Sequence, residues 1–240
     1  FATCPDARQT LTPQLRTDAG DTDLILVDLG QGKNRLGGSA LAQVYKQIGN
    51  EVPDVASAAQ LKGFFDTMQR LNADGRILAY HDRSDGGLFA TLCEMMFAGH
   101  CGVTVDLGKL SPDTFGVLFN EELGAVLQVK RGDTAAVMEA FFATCLRGEL
   151  HVIGTPNRDD RLVIRRGDRE ILDMPRIELQ RAWSETTSRM QALRDNPACA
   201  QQEYERILDA DDPGLHAALN FDLDDNVAAP FVAKGSRPRM

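Results

Sequence analysis

The segment HDRSDGG at residues 81–87 sits between an apolar run, ILAY, and an apolar helix pattern, LFATLCEMMF. A strand-to-helix loop leaves backbone amides free at the helix start, and Gly86 and Gly87 let a ligand approach the main chain closely. That geometry suits an anion, yet the loop carries two carboxylates, Asp82 and Asp85. A hard cation reconciles the two. Mg²⁺ accepts a carboxylate oxygen and keeps waters and phosphate oxygens as its other ligands. Asp82, leaving the strand, is the metal-ligand candidate, and Ser84 could donate to a phosphate oxygen. Asp85 is expected to be spent on capping the helix. His81 reads as a packed, hydrogen-bonding strand-end residue rather than a general base.

A second glycine loop lies at residues 32–39, GKNRLGGS. It fails the phosphate-cradling template G-x-x-x-x-G-K-[ST], because glycine stands where the lysine is needed. GQGKNR fails G-x-G-x-x-G, since its last position is Arg35. What remains is that Gly37, Gly38 and Ser39 open a helix, so amides and a hydroxyl could hold a phosphate near Lys33 and Arg35. An ordinary loop with a serine cap explains the same residues.

Other chemistry-bearing residues carry less. His100, His151 and His216 have no ligand partner three or four residues on, and Cys93 and Cys101 lie in apolar context as small buried hydrophobes. The pair Glu121 and Glu122 reads as solvated carboxylates.

These loops need elements to hold them. Residues 23–30, DLILVDLG, predict a buried strand, and residues 40–49 a helix whose Leu41, Val44, Tyr45 and Ile48 share a face. A second helix is predicted at 58–72, with Leu61, Phe64, Phe65, Met68 and Leu71 as its stripe. ILAY is the strand into the opening loop, and Leu88, Leu92, Met95 and Met96 form the core face of the helix after it. Then come a strand (GVTVDL), a short helix (SPDTFGVLFNEE), a strand (GAVLQVK), a helix (DTAAVMEAFFATCLR) and two strands (LHVIGTP and RLVIRRGDREI). Without strict βαβ alternation the expected class is α+β, a mixed sheet flanked by helices. From residue 175 the text turns charged and helical, interrupted by Pro197, so a boundary is placed there. The expected organisation is a domain over 1–175 and a helical connection over 176–240, extended from about residue 210.

The chain has 240 residues, 43% of them hydrophobic, which suffices for a sizeable core. A net charge of −9 argues against a general nucleic-acid binder. No apolar run approaches the roughly 20 residues that span a bilayer, so no membrane partner is expected. Five dispersed cysteines with no CxxC suggest neither a disulfide framework nor a zinc site, and a cytoplasmic location is expected. The start at Phe1 and the basic end AKGSRPRM give the expectation of a piece of something longer.

Two long stretches, LILVDLGQGKNRLGGSALAQVYKQIGNEVPDV and HDRSDGGLFATLCEMMFAGHCGVTVDL, together with FNEELGAVLQV, HVIGTP and WSETTSRMQALRDNPACAQQEYERI, resemble the large form of phosphoribosylformylglycinamidine synthase. The resemblance covers essentially the whole chain. It implies the C-terminal part of the synthetase region of an ATP-, Mg²⁺- and glutamine-dependent C–N ligase of purine biosynthesis, with an aminoimidazole ribonucleotide synthetase-like C-terminal fold. It further implies that Asp82 is a metal ligand and that Ser84, with Gly86 and Gly87, meets ATP or ADP at an auxiliary site. The implied partners are other domains of the same polypeptide, the synthetase N-terminal half and a glutaminase domain. No cysteine here sits in a glycine-flanked nucleophile turn, so the glutaminase chemistry is expected elsewhere. Two readings stay open beside this one: a phosphoryl-transfer enzyme of the same superfamily, and a non-catalytic scaffold whose loop is only a capped turn.

Overall fold

The computed structural model describes residues 7–143, 150–212, 214, 217–222 and 224–232. Cys4, Cys145, His216, the end of the helix expected over 133–147 and the terminal segment 233–240 lie outside the described residues.

The fold is α+β, built on one mixed seven-stranded sheet. Its strands are β1 (Thr22–Asp28), β2 (Ala79–Asp82), β3 (Gly102–Asp106), β4 (Gly124–Lys130), β5 (Leu150–Asn157), β6 (Arg161–Arg166) and β7 (Arg169–Pro175). They lie in the order β2-β4-β1-β5-β3-β6-β7, antiparallel throughout except for the parallel pair of β3 with β6. RLVIRRGDREI, expected as one strand, is a hairpin of two, because Gly167 at φ +59° turns the chain between β6 and β7.

Helices cover both faces. They are α1 (Ala40–Val44), α2 (Ala58–Ala73), α3 (Gly87–Gly99), α4 (Thr114–Phe119), α5 (Thr134–Phe142), α6 (Arg176–Arg194), α7 (Pro197–Arg206) and α8 (Ala229–Val232). Strand β1 shows how one sequence serves two cores. Its side chains alternate, so Leu24 and Leu26 enter a core with Leu88, Leu92, Met95 and Met96 of α3, while Ile25 and Val27 enter another with Phe64 and Met68 of α2 and Phe141 of α5. Burial on both faces explains the near-continuous apolar text of this strand.

The helix expected over 40–49 stops at Val44. Gly38 N donates to Ile48 O (2.7 Å) and Gly37 N to Glu51 O (2.6 Å), and these loop bonds hold residues 48–51 out of helical register. Val44, Tyr45 and Ile48 consequently stand 77, 66 and 81% exposed instead of facing a core.

The charged segment after residue 175 does not leave the domain at once. Arg176 is buried and grips Asp160 through Nε (2.5 Å) and Nη2 (3.0 Å), and Leu179 joins the α3 core. One turn on, Trp183 packs on Phe97 at 5.8 Å between ring centroids and donates from Nε1 to Glu94 Oε1 (3.2 Å). Helix α7 folds back on α6, with the Arg181 guanidinium 4.2 Å from the centre of the Tyr204 ring.

The outer edge of β2 is strapped by the chain before β1. Tyr80 N donates to Thr12 O (3.0 Å), Arg16 N to Gln128 Oε1 (2.8 Å), and Leu15 is buried in the α3 core. Among the described residues no helix is long and apolar enough to cross a membrane.

Candidate functional site

The HDRSDGG segment, which leaves β2 after Asp82, is divided between outside and inside. Asp82, Ser84 and Asp85 are exposed, whereas Arg83 is buried. Arg83 donates from Nη2 to Asp28 Oδ1 (2.5 Å) and Leu123 O (3.0 Å), and from Nε to Glu122 O (2.7 Å). Asp28 in turn accepts the amides of Gly30 (3.1 Å) and Gly32 (2.8 Å). The arginine that reads in sequence as part of the loop's charge is thus the pin that fastens β2 to β1 and to the chain entering β4.

The Asp82 carboxylate accepts a hydrogen bond from the Tyr80 hydroxyl, two residues back on the same strand face. Burial, reinforced by that carboxylate, holds the Tyr80 phenol well above its usual range, so it stays a donor at neutral pH. The bond orients Asp82 while leaving a carboxylate oxygen for a cation. His81, on the other face, meets Glu94 Oε2 through Nε2 (2.7 Å). It therefore sits in a hydrogen-bonded pair, as expected for a strand-end histidine.

Asp85 does not cap α3. The N-cap residue is Gly86, at φ +80° with no side chain to offer, and Gly87 follows at φ +67°. A Cβ at Gly87 would lie 2.6 Å from Asn120 O and 2.8 Å from Leu118 O, so the helix start can pass beneath α4 only as glycine. Gly87 N donates to Ser84 O (2.9 Å), but the amides of Leu88 and Phe89 meet no acceptor among the described residues. Leu88 is wholly buried, and the start of the thirteen-residue helix already holds a carboxylate, Glu121 Oε1 on Gly86 N (2.9 Å).

The donors of the loop at Gly37, Gly38 and Ser39 are taken internally. Besides the two bonds that end α1, Ser39 N donates to Leu36 O (3.2 Å) and Ser39 Oγ to Leu36 O (2.7 Å), while Ala42 N donates to Ser39 Oγ (3.2 Å). Ser39 is wholly buried, and α1 is barely more than one turn. In the structure the amides of Gly37, Gly38 and Ser39, expected as phosphate donors, bond to carbonyls of this chain, and Ser39 caps α1. Arg35, expected nearby as a phosphate partner, is bound by Nε (2.6 Å) and Nη2 (2.8 Å) to Glu122.

The acidic pair Glu121 and Glu122 is likewise not two solvated carboxylates. Glu122 is 1% exposed and holds Arg35, while Glu121 Oε1 accepts Ala40 N (2.8 Å) and Gly86 N (2.9 Å). Sequence reasoning missed both because their partners lie 35 to 87 positions away. A usable signal was an acidic pair next to a strand in a chain with two glycine loops whose amides need acceptors.

Cys93 and Cys101 are buried, as expected. Burial pushes their thiols up to about 12 and about 11. His151 lines a small cavity with Asp28 and Arg83, and burial lowers its pKa.

As a cation site, the loop provides one oriented carboxylate. Among the described residues no group of three or more His, Cys, Asp or Glu is arranged to hold a metal. That donor set fits Mg²⁺ shared with phosphate oxygens and waters, and does not fit an all-protein cage.

The sequence profile of the AIR synthase related protein C-terminal domain matches residues 21–166. The chain belongs to that family. Solved structures share its fold: Thermotoga maritima PurL complexed with ATP (12% identity, TM-score 0.54), the same protein complexed with FGAR (12%, 0.56) and PurLQS from Thermotoga maritima (13%, 0.56). The match takes in 71, 72 and 71% of this chain but 27, 30 and 27% of those chains, so this chain corresponds to under a third of their length. The family match spans β1 to β6 and contains both glycine loops, the Glu121–Glu122 pair and the HDRSDGG segment.

Proposed function

We propose that this chain supplies Asp82 and Ser84 to a Mg²⁺–nucleotide site in an ATP- and glutamine-dependent ligase that converts formylglycinamide ribonucleotide to the amidine. The observation that carries the reading is the exposure of Asp82 and Ser84 in the loop that leads into α3. It joins an oriented carboxylate and an exposed serine within one loop. The Ser84 hydroxyl donates to a phosphate, and Asp82 binds the cation that neutralises it. Gly86 and Gly87 shape the turn rather than donate, since their amides are taken internally.

The fold shared with a PurL complexed with ATP, and the similarity of long stretches to phosphoribosylformylglycinamidine synthase, support the choice of nucleotide and reaction. One carboxylate and one serine underfill a Mg²⁺–triphosphate shell, so the remaining ligands come from other domains of the polypeptide. The role assigned here is auxiliary: the nucleotide braces the assembly, and ammonia release and ligation take place elsewhere.

The test is the nucleotide and Mg²⁺ content of the full-length protein after Asp82→Asn and Ser84→Ala. The expected result is a loss of bound metal with Asp82→Asn and weaker nucleotide retention with both. Unchanged content in the two variants sinks the assignment.

A further inference from the structure

We infer that Glu121 is the positioning residue of the HDRSDGG loop, one carboxylate oxygen that fixes its pose and couples it to the 37–40 loop. The inference rests on the nucleotide reading above and names a residue outside the motif.

Glu121 Oε1 receives two amide donors, Ala40 N at 2.8 Å and Gly86 N at 2.9 Å. Those amides stand at the starts of α1 and α3, the two helices that follow the glycine loops. A carboxylate at a helix start is held by amides in the way a bound anion is. Here the anion is internal and shared, so neither loop can shift without breaking a bond on the other. Ser39 and Gly86 show why an outside acceptor is needed. The Ser39 hydroxyl caps only Ala42 N, and Gly86 has no side chain with which to cap α3.

The neighbouring Glu122 does a separable job. It is buried against Arg35 and carries the local ion pair, whereas Glu121 is half-buried and bonded only to main chain. Glu121 thereby sets the angle at which Ser84 faces a ligand. Asp82 is fixed independently, through Tyr80.

The test uses the full-length protein with Glu121→Ala and Glu121→Gln. Glutamine keeps an Oε1 acceptor for both amides and loses only the charge. Backbone hydrogen exchange is followed in peptides covering 36–42 and 84–90, alongside the dissociation constant for Mg²⁺–ADP. The expectation is that Ala speeds exchange in both peptides together and weakens Mg²⁺–ADP about tenfold, the size of losing charge-assisted hydrogen bonds. Gln is expected to restore slow exchange in both and most of the affinity. Faster exchange in only one peptide, or none, overturns the coupling, as does failure of Gln to rescue it. Coupled exchange with unchanged Mg²⁺–ADP affinity overturns the positioning role. A wild-type protein that binds no Mg²⁺–ADP refutes the nucleotide reading instead, while the exchange arms still decide whether Glu121 joins the loops.

Discussion

Arg83 Nη2 lies 2.5 Å from Asp28 Oδ1, an ion pair whose side chains are 2 and 10% exposed, and it places a buried cation between two exposed site residues. Breaking a buried pair from one side leaves the other charge unpaired, at a cost of about 3–5 kcal/mol. Arg83→Ala is therefore expected to lower the melting temperature strongly, at roughly 2–4 °C per kcal/mol for a chain of this size. Arg83→Lys should recover only part of it, because an ammonium cannot serve Asp28, Glu122 O and Leu123 O from one plane. Calorimetry on both variants checks this, and a lysine variant as stable as wild type would count against the pinning role.

Two glycines separate backbone strain from crowding. Gly87 has φ +67° and backbone oxygens at 2.6 and 2.8 Å from where a Cβ would sit, while Gly75 has φ +65° and open space. Gly75→Ala is expected to cost about 1 kcal/mol from left-handed strain alone. Gly87→Ala should cost several-fold more, since main chain from α4 must move as well. Chemical denaturation measures both, and equal losses would show that the close approach is not limiting.

The buried thiols predict a reactivity order. Cys199 is exposed, while Cys93 and Cys101 are held protonated up to about 12 and about 11. With Cys4 and Cys145 replaced by serine, a thiol reagent at pH 8 should modify Cys199 promptly and the other two only on unfolding. The sign for stability follows from the same shifts. The folded thiols keep protons that unfolded thiols release above their ordinary value of 9.0, so stability falls as pH rises past about 9. A Cys93→Ala variant should flatten that alkaline decline.

His151 acts on the acid side. Burial lowers its pKa from 6.5, so the unfolded chain binds a proton first and stability declines as pH falls below that value. His151→Gln should remove this part of the acid sensitivity, measured as the difference in unfolding free energy between pH 7.5 and 5.5.

Trp183 is the only tryptophan in the chain, which makes its contact with Phe97 and Glu94 directly observable. Glu94→Ala removes the acceptor of the indole N–H and the partner of His81. The expected outcome is a red-shifted emission in the native state with about 1 kcal/mol or less of stability lost, since the indole is 61% exposed. An unshifted spectrum would mean that Glu94 does not hold α6 in place.

The regular elements were legible where one face meets a core. The stripe Leu88, Leu92, Met95 and Met96 is buried as its period demands, and GAVLQVK is strand β4. The pattern misled at Leu41, Val44, Tyr45 and Ile48, because periodicity reports the shape a helix would have, not whether a core is there to receive it. In the site, Asp82 was legible as the residue leaving the strand, and β2 ends there. The Glu121 acceptor shared by Ala40 and Gly86 was not, since hydrogen bonds between loops distant in sequence leave no local periodicity to read.

The strap over β2 bears on how the domain can be dissected. The family match begins at residue 21, after Thr12 has bonded the outer strand β2, Leu15 has entered the core and Arg16 has bonded Gln128 of β4. A fragment trimmed to that match would bare the Tyr80 amide and the groove left by Leu15, presenting an open template to a second molecule. Such a fragment is expected to self-associate in light scattering, and one that starts before residue 10 to stay monodisperse. The smallest autonomous unit is thus set by what shields its last strand from pairing with a stranger, and it is longer than the homologous segment.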